Sequence, residues 1–128
     1  MNEEKVAMIN LDFAKQMQAR TKAFALRVIR MFRKLPKTDE ARILGKQVLR
    51  SGTSVAANYR AACRSKSRAD FISKLGMTVE EADETLLWIE LLEESGIIPA
   101  KRLAAIKAET DELLRVLSTS LDTAKRGR

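Results

Sequence analysis

The sequence predicts an all-α fold: a single up-down-up-down antiparallel four-helix bundle. Three observations carry that expectation. Apolar residues recur at spacings of three and four through four long segments, the period of a helix. Short punctuated breaks at Pro36, around Ser67 and at Gly96 to Pro99 separate those segments, and connections this short join antiparallel neighbours. The 128 residues are 45% apolar and 32% charged, which suits a bundle with a solvated exterior. A domain of this length buries roughly two-thirds of its unfolded surface, enough for a core without disulfides or metal.

Helix one is expected over about residues 10–35, with Met17, Thr21, Phe24, Val28, Met31 and Leu35 facing inward. Pro36 disfavours the helical conformation at Leu35 and ends it. Thr38 is a good N-cap for helix two, about 39–65, and Asp39 and Glu40 suit its first turn. The inner face of helix two reads Ala41, Leu44, Val48, Ser51 or Gly52, Val55, Tyr59 and Ala62. Gly52 costs about 1 kcal/mol relative to alanine inside a helix, so a close helix approach or a kink is expected there. A ligand against exposed backbone is the alternative, although no GxxxxGK[ST] phosphate loop occurs.

Ser67 is the expected N-cap of helix three, about 68–95, and Asp70 three residues on approximates a capping box. Ile72, Leu75, Val79, Ala82, Leu86 and Ile89 then repeat at 3-4-3-4-3, a coiled-coil-like seam. Gly96 supplies the stop, and Pro99 suits the first turn of helix four, about 99–124. Leu103, Ile106, Thr110, Leu113, Leu117 and Leu121 form its inner face, and it frays into a basic tail over 125–128.

The chain has no histidine. That closes Ser-His-Asp and Cys-His catalysis, zinc fingers and the Glu-x-x-His motif of di-iron bundles. Glu80, Glu81, Asp83 and Glu84 have metal-compatible spacings, but no second carboxylate-rich helix faces them, so solvated or ion-paired carboxylates are expected. Cys63 sits among cations that lower a thiol's pKa, yet no partner base is evident, and a structural thiol is the expectation. We expect no enzyme, no catalytic residues, no cofactor and no metal. A lone cysteine suits a reducing cytoplasm. No apolar run approaches the roughly 18 residues of a membrane span, and residues 1–10, with Glu3 and Glu4, do not read as a secretory signal.

The net charge of +7 hides two opposed blocks. Residues 41–70 carry +6 and residues 71–99 carry −6. At about 100° per residue, Arg42, Lys46, Arg50, Arg60 and Arg64 fall within an arc of roughly 80°, opposite the apolar face of helix two. Such a stripe suits a phosphate backbone in RNA or DNA. Ser51, Thr53 and Asn58 are candidates for added hydrogen bonds. The stripe also suits pairing with the acids of helix three, within a subunit or between subunits, or recruitment of an acidic protein partner. Helix three has more apolar surface than one seam requires: Leu87, Trp88, Leu91 and Leu92 widen it, and this marks an expected oligomer interface.

Three stretches carry a family resemblance: Leu35 to Tyr59, with its Arg-Ser-Gly-Thr-Ser segment followed by Ala-Asn-Tyr; Arg68 to Gly76; and Glu81 to Leu92. Together they resemble the bacterial four-helix-bundle proteins first noted as products of intervening sequences within the large (23S) ribosomal RNA gene. The resemblance covers about residues 24–124. It implies an up-down bundle assembled as a ring-like homopentamer, with no established enzymatic activity and a genetic setting that points to ribosomal RNA. A distant relative, the accessory protein of diversity-generating retroelements, is similar in fold and binds nucleic acid. This chain departs from the family pattern at Ala61, where many relatives have an acid, and at Leu87, where many have an aromatic residue.

Overall fold

The computed structural model describes residues 11–127, and over them the chain forms four helices. They are α1 (Leu11–Arg33), α2 (Asp39–Cys63), α3 (Arg68–Glu94) and α4 (Ala100–Arg126). No strand occurs among the described residues. The expected helix start at Asn10, the reading of residues 1–10 and the last residue of the basic tail, Arg128, lie outside them. Consecutive helices pack side by side, and α1 and α4 pack more loosely than any consecutive pair. The connections over 34–38 and 95–99 lie at one end of the bundle, and the connection over 64–67 lies at the other.

Local chemistry fixes the helix ends. Thr38 is the N-cap of α2, its hydroxyl accepting from the Ala41 amide at 3.3 Å. Ser67 does the same for α3, accepting from the Asp70 amide at 3.1 Å. Each cap satisfies one of the amides a helix start leaves without a partner. After α3, Gly96 takes φ +80°, a conformation that L side chains rarely adopt. The chain then folds back so that the Ile98 amide donates to the Leu92 carbonyl at 3.2 Å and Ile98 enters the core.

The core follows the predicted faces with one systematic shift. In α3 the fully enclosed positions are Leu75, Thr78, Ala82, Thr85, Ile89 and Leu92, with Phe71 also buried. Ile72, Val79 and Leu86 of the expected seam are half-buried beside them. Threonine can take the centre because its hydroxyl stays within its own helix. Thr78 donates to the Lys74 carbonyl at 2.9 Å and Thr85 to that of Glu81 at 2.7 Å. Thr21 and Thr110, also fully buried, donate to Met17 and Ile106 in the same way.

Gly52 marks a close approach of α2 to α1. A Cβ placed there meets Val28 Cγ2 at 2.9 Å and Cγ1 at 3.0 Å. Helix four differs from expectation at its end: it does not fray at Ala124 but continues through Lys125 and Arg126. The reason is Arg68, at the start of α3, whose guanidinium donates to the Ala124 and Lys125 carbonyls at 2.8 and 2.9 Å, and to that of Gly127. The Ala124 and Lys125 carbonyls are among those a helix end leaves without intrahelical partners, and Gly127 is the C-cap. Helix one ends two residues early, at Arg33, and buried Leu35 sits in the turn.

Candidate nucleic-acid interface and association face

The basic residues of α2 share its outer side, as the helical period requires. Arg42, Lys46, Arg50, Arg60 and Arg64 are all exposed, and at 1.5 Å per residue the row spans about 33 Å. Their electrostatic situations differ. Arg50 reaches across to α3 and lies 3.2 Å from Glu81 and 2.5 Å from Glu84. One guanidinium between two carboxylates leaves a local excess of negative charge, so Arg50 is a poor first landing point for a phosphate. Arg42 is paired with Asp39, one turn before it. Lys46, Arg60 and Arg64 form no ion pair among the described residues. The cationic surface of α2 is therefore concentrated toward its C-terminal end, with Lys46 as an outlier.

The neutral candidates separate as well. Ser51 is fully buried, and its hydroxyl hydrogen-bonds to that of Thr85 at 2.8 Å. It is a link between α2 and α3 and cannot touch a surface ligand, which corrects the expectation for that residue. The small side chains around Gly52 lie on the crowded side of the helix, and Ser51 falls among them. Thr53 and Asn58 are half-buried, and the Thr53 hydroxyl lies 2.7 Å from the Leu49 carbonyl. That leaves the Thr53 oxygen as an acceptor.

The expected association face also divides. Leu87 and Leu91 are 46% and 38% exposed. Leu92 is fully buried in the subunit core, so it belongs to the fold and not to an outer face, which corrects the expectation for that residue. Trp88 is half-buried against the core, with its indole nitrogen enclosed. Exposed Met77 lies farther along the same side of α3, and Glu80, Leu87, Leu91 and Glu94 fall within an arc of roughly 60°. The face is thus an apolar ridge set among carboxylates.

The sequence model of the family described as 23S rRNA-intervening sequence protein matches residues 15–119. The chain belongs to this family. A solved structure from Bacteroides thetaiotaomicron, a protein of unknown function from the S23 ribosomal protein family, is 33% identical to it. The match covers 85% of this chain and 97% of that one, with a TM-score of 0.79. No curated protein matches the chain. The 23S rRNA-intervening sequence protein family thus supplies the fold, while the structural neighbour's own function is unknown.

Features expected to be inert in this family member have structural occupations. The half-buried Cys63 hydrogen-bonds with Tyr59; burial and this contact raise the phenol above its ordinary range. No group of side chains suited to a metal ion occurs among the described residues. No described helix is long and apolar enough to cross a membrane.

A second basic surface lies where α1 and α4 are loosely packed. Arg27, Arg30 and Lys34 of α1 and Arg102 of α4 line a groove of about 340 Å³, whose floor includes Met31, Leu103 and Ile106. Below it, Arg20 grips Glu109 through two hydrogen bonds of 2.7 and 2.8 Å and reaches Glu112 at 3.1 Å. These contacts hold the Glu109 carboxyl below its ordinary pKa. Sequence reasoning centred on α2 did not single out this groove. The signal was present: residues 13–38 contain eight cations and no acid.

Proposed function

We propose that this protein is a non-catalytic, cytoplasmic scaffold that self-associates through the outer face of α3 and binds RNA or DNA through the outer side of α2. Lys46, Arg60 and Arg64 make the leading phosphate contacts, and Arg42 and Arg50 join once they exchange their carboxylate partners. Thr53 and Asn58 add hydrogen bonds. The observation that carries the reading is the exposure of Arg60 and Arg64 with no ion pair among the described residues. The family resemblance favours a homopentameric ring.

Salt titration tests the nucleic-acid reading. Binding of a single-stranded or duplex RNA probe should fall linearly on a log–log plot, and each lost phosphate contact should reduce the slope by about 0.7–0.9. Arg60→Glu with Arg64→Glu should abolish most binding in moderate salt. Unchanged affinity in that double variant sinks α2 as the site.

The Arg50 bridge to Glu81 and Glu84 favours a second reading, in which the opposed helices serve protein–protein contact alone, including recruitment of an acidic partner. In that case the wild-type protein ignores nucleic acid at every salt concentration, and reversing charges on α2 changes assembly instead.

A further inference from the structure

We infer that the acidic, apolar ridge on α3 of one copy seats in the basic groove between α1 and α4 of the next, so that assembly is head-to-tail. The inference rests on the self-association proposed above and names the two surfaces that meet.

Charge and chemistry match across the two surfaces. The groove presents Arg27, Arg30, Lys34 and Arg102 with no acid among its lining residues. None of these four forms an ion pair among the described residues. Its floor is apolar. The ridge offers the complement: Leu87 and Leu91 stand exposed between the carboxylates of Asp83, Glu90 and Glu94, which also lack ion-pair partners among the described residues. Two surfaces each carrying one sign of charge repel their own kind, so ridge against ridge and groove against groove are both disfavoured. The contact that satisfies both is heterologous.

Placement supports it. Residues 27–34 and 98–106 lie at the end of the bundle that carries the 34–38 and 95–99 connections, and so do residues 87–94. The ridge points away from the bundle on the α3 side, while the groove opens between α1 and α4. Two matching surfaces at one height, facing different ways, let copies stand side by side with parallel axes. Repetition of one heterologous contact gives a ring where the rotation closes. The groove spans about two helical turns, roughly 11 Å, enough for the Leu87–Leu91–Glu94 stretch.

Complementation between two disabled variants tests the pairing. Arg30→Glu with Arg102→Glu disables the groove and keeps the ridge; Leu87→Lys with Leu91→Lys does the reverse. All four residues are exposed, and circular dichroism checks that each variant folds. Alanine replacements at the same positions serve where a variant does not. By light scattering, wild type should be larger than a dimer and each variant alone a monomer. An equimolar mixture should form a 1:1 pair of about twice the 14.4 kDa chain mass, because one good ridge and one good groove remain. A groove variant that keeps the wild-type mass, or a mixture that stays monomeric, overturns the pairing while leaving a self-associating scaffold in place. A ridge variant that keeps the wild-type mass overturns both the pairing and α3 as the association face. A monomeric wild type overturns the pairing and the self-association together.

Discussion

Replacing Gly52 with alanine adds one methyl group to the interior of α2, and Val28 decides the sign of the result. On helix propensity alone the change favours folding by about 1 kcal/mol. The new Cβ, however, would stand 2.9 Å from one γ-carbon of Val28, 3.0 Å from the other and 3.3 Å from its Cβ. Because both branches are touched, rotating the valine exchanges one clash for another, and a β-branched side chain in a helix has essentially one good rotamer. Val28 is itself fully buried, so relief requires α1 to move. Overpacking of this kind costs about 1–3 kcal/mol, giving a net loss of roughly 0–2 kcal/mol after the propensity gain. Gly76 provides the internal control, since it lies within α3 and a Cβ there meets nothing within 4 Å. Gly76→Ala should gain up to about 1 kcal/mol. The difference between the two variants isolates the steric contribution at about 1–3 kcal/mol. Urea unfolding at one protein concentration measures both midpoints. If Gly52→Ala stabilises as much as Gly76→Ala, the close approach of α1 and α2 is not what places glycine at position 52.

Three further substitutions probe other links in the structure. Ser51→Ala should cost about 1 kcal/mol of stability and leave RNA-probe affinity unchanged, since the hydroxyl serves α3; chemical denaturation and a binding titration together check this. Glu109→Gln should destabilise at neutral pH by about 1 kcal/mol, with the deficit shrinking in acid. The folded carboxyl has a depressed pKa, so its contribution is present above the ordinary value of 4.5 and is lost as pH falls through the lower folded value; denaturation midpoints at successive acid pH values follow the convergence. Arg68→Ala should expose the carbonyls of Ala124, Lys125 and Gly127, so hydrogen exchange should quicken over the last turn of α4 while α1 is unaffected.

Helix number, order and caps were legible because they depend on local chemistry. Thr38 and Ser67 cap from fixed positions, Gly96 takes a positive φ that other residues rarely adopt, and the three-four spacing marks the inner faces. Leu75, Ala82 and Ile89 of the α3 seam were read correctly; the alternate positions fell one residue late, at Ile72, Val79 and Leu86, because Thr78 and Thr85 look polar in a sequence, whereas their hydroxyls are satisfied within the helix. The end of α4 was misplaced for a different reason: its stabilising partner, Arg68, lies 56 residues away from Ala124. The basic stripe of α2 was legible as an outer face, and so was the option of pairing with the acids of α3; that Arg50 is the residue so paired, with Glu81 and Glu84, depends on the fold. The α1–α4 groove joins residues roughly 70 positions apart, and no local pattern announces such a site.

The buried threonines have a consequence for how the helices are held in register. Thr21, Thr78 and Thr110 direct their hydroxyls back along their own helices. Among these central hydroxyls, Thr85 alone reaches a neighbouring helix, at Ser51. Sliding α1 or α4 by a turn would therefore break none of those polar links in the interior. Their alignment depends on complementary shape, with the notch at Gly52 holding α1, and on the Arg20, Arg68 and Lys107 contacts at the periphery. The sequence has placed its registration marks at the rim of the bundle and at a close-packed glycine of α2, leaving most of the polar atoms at its centre indifferent to which neighbour lies opposite.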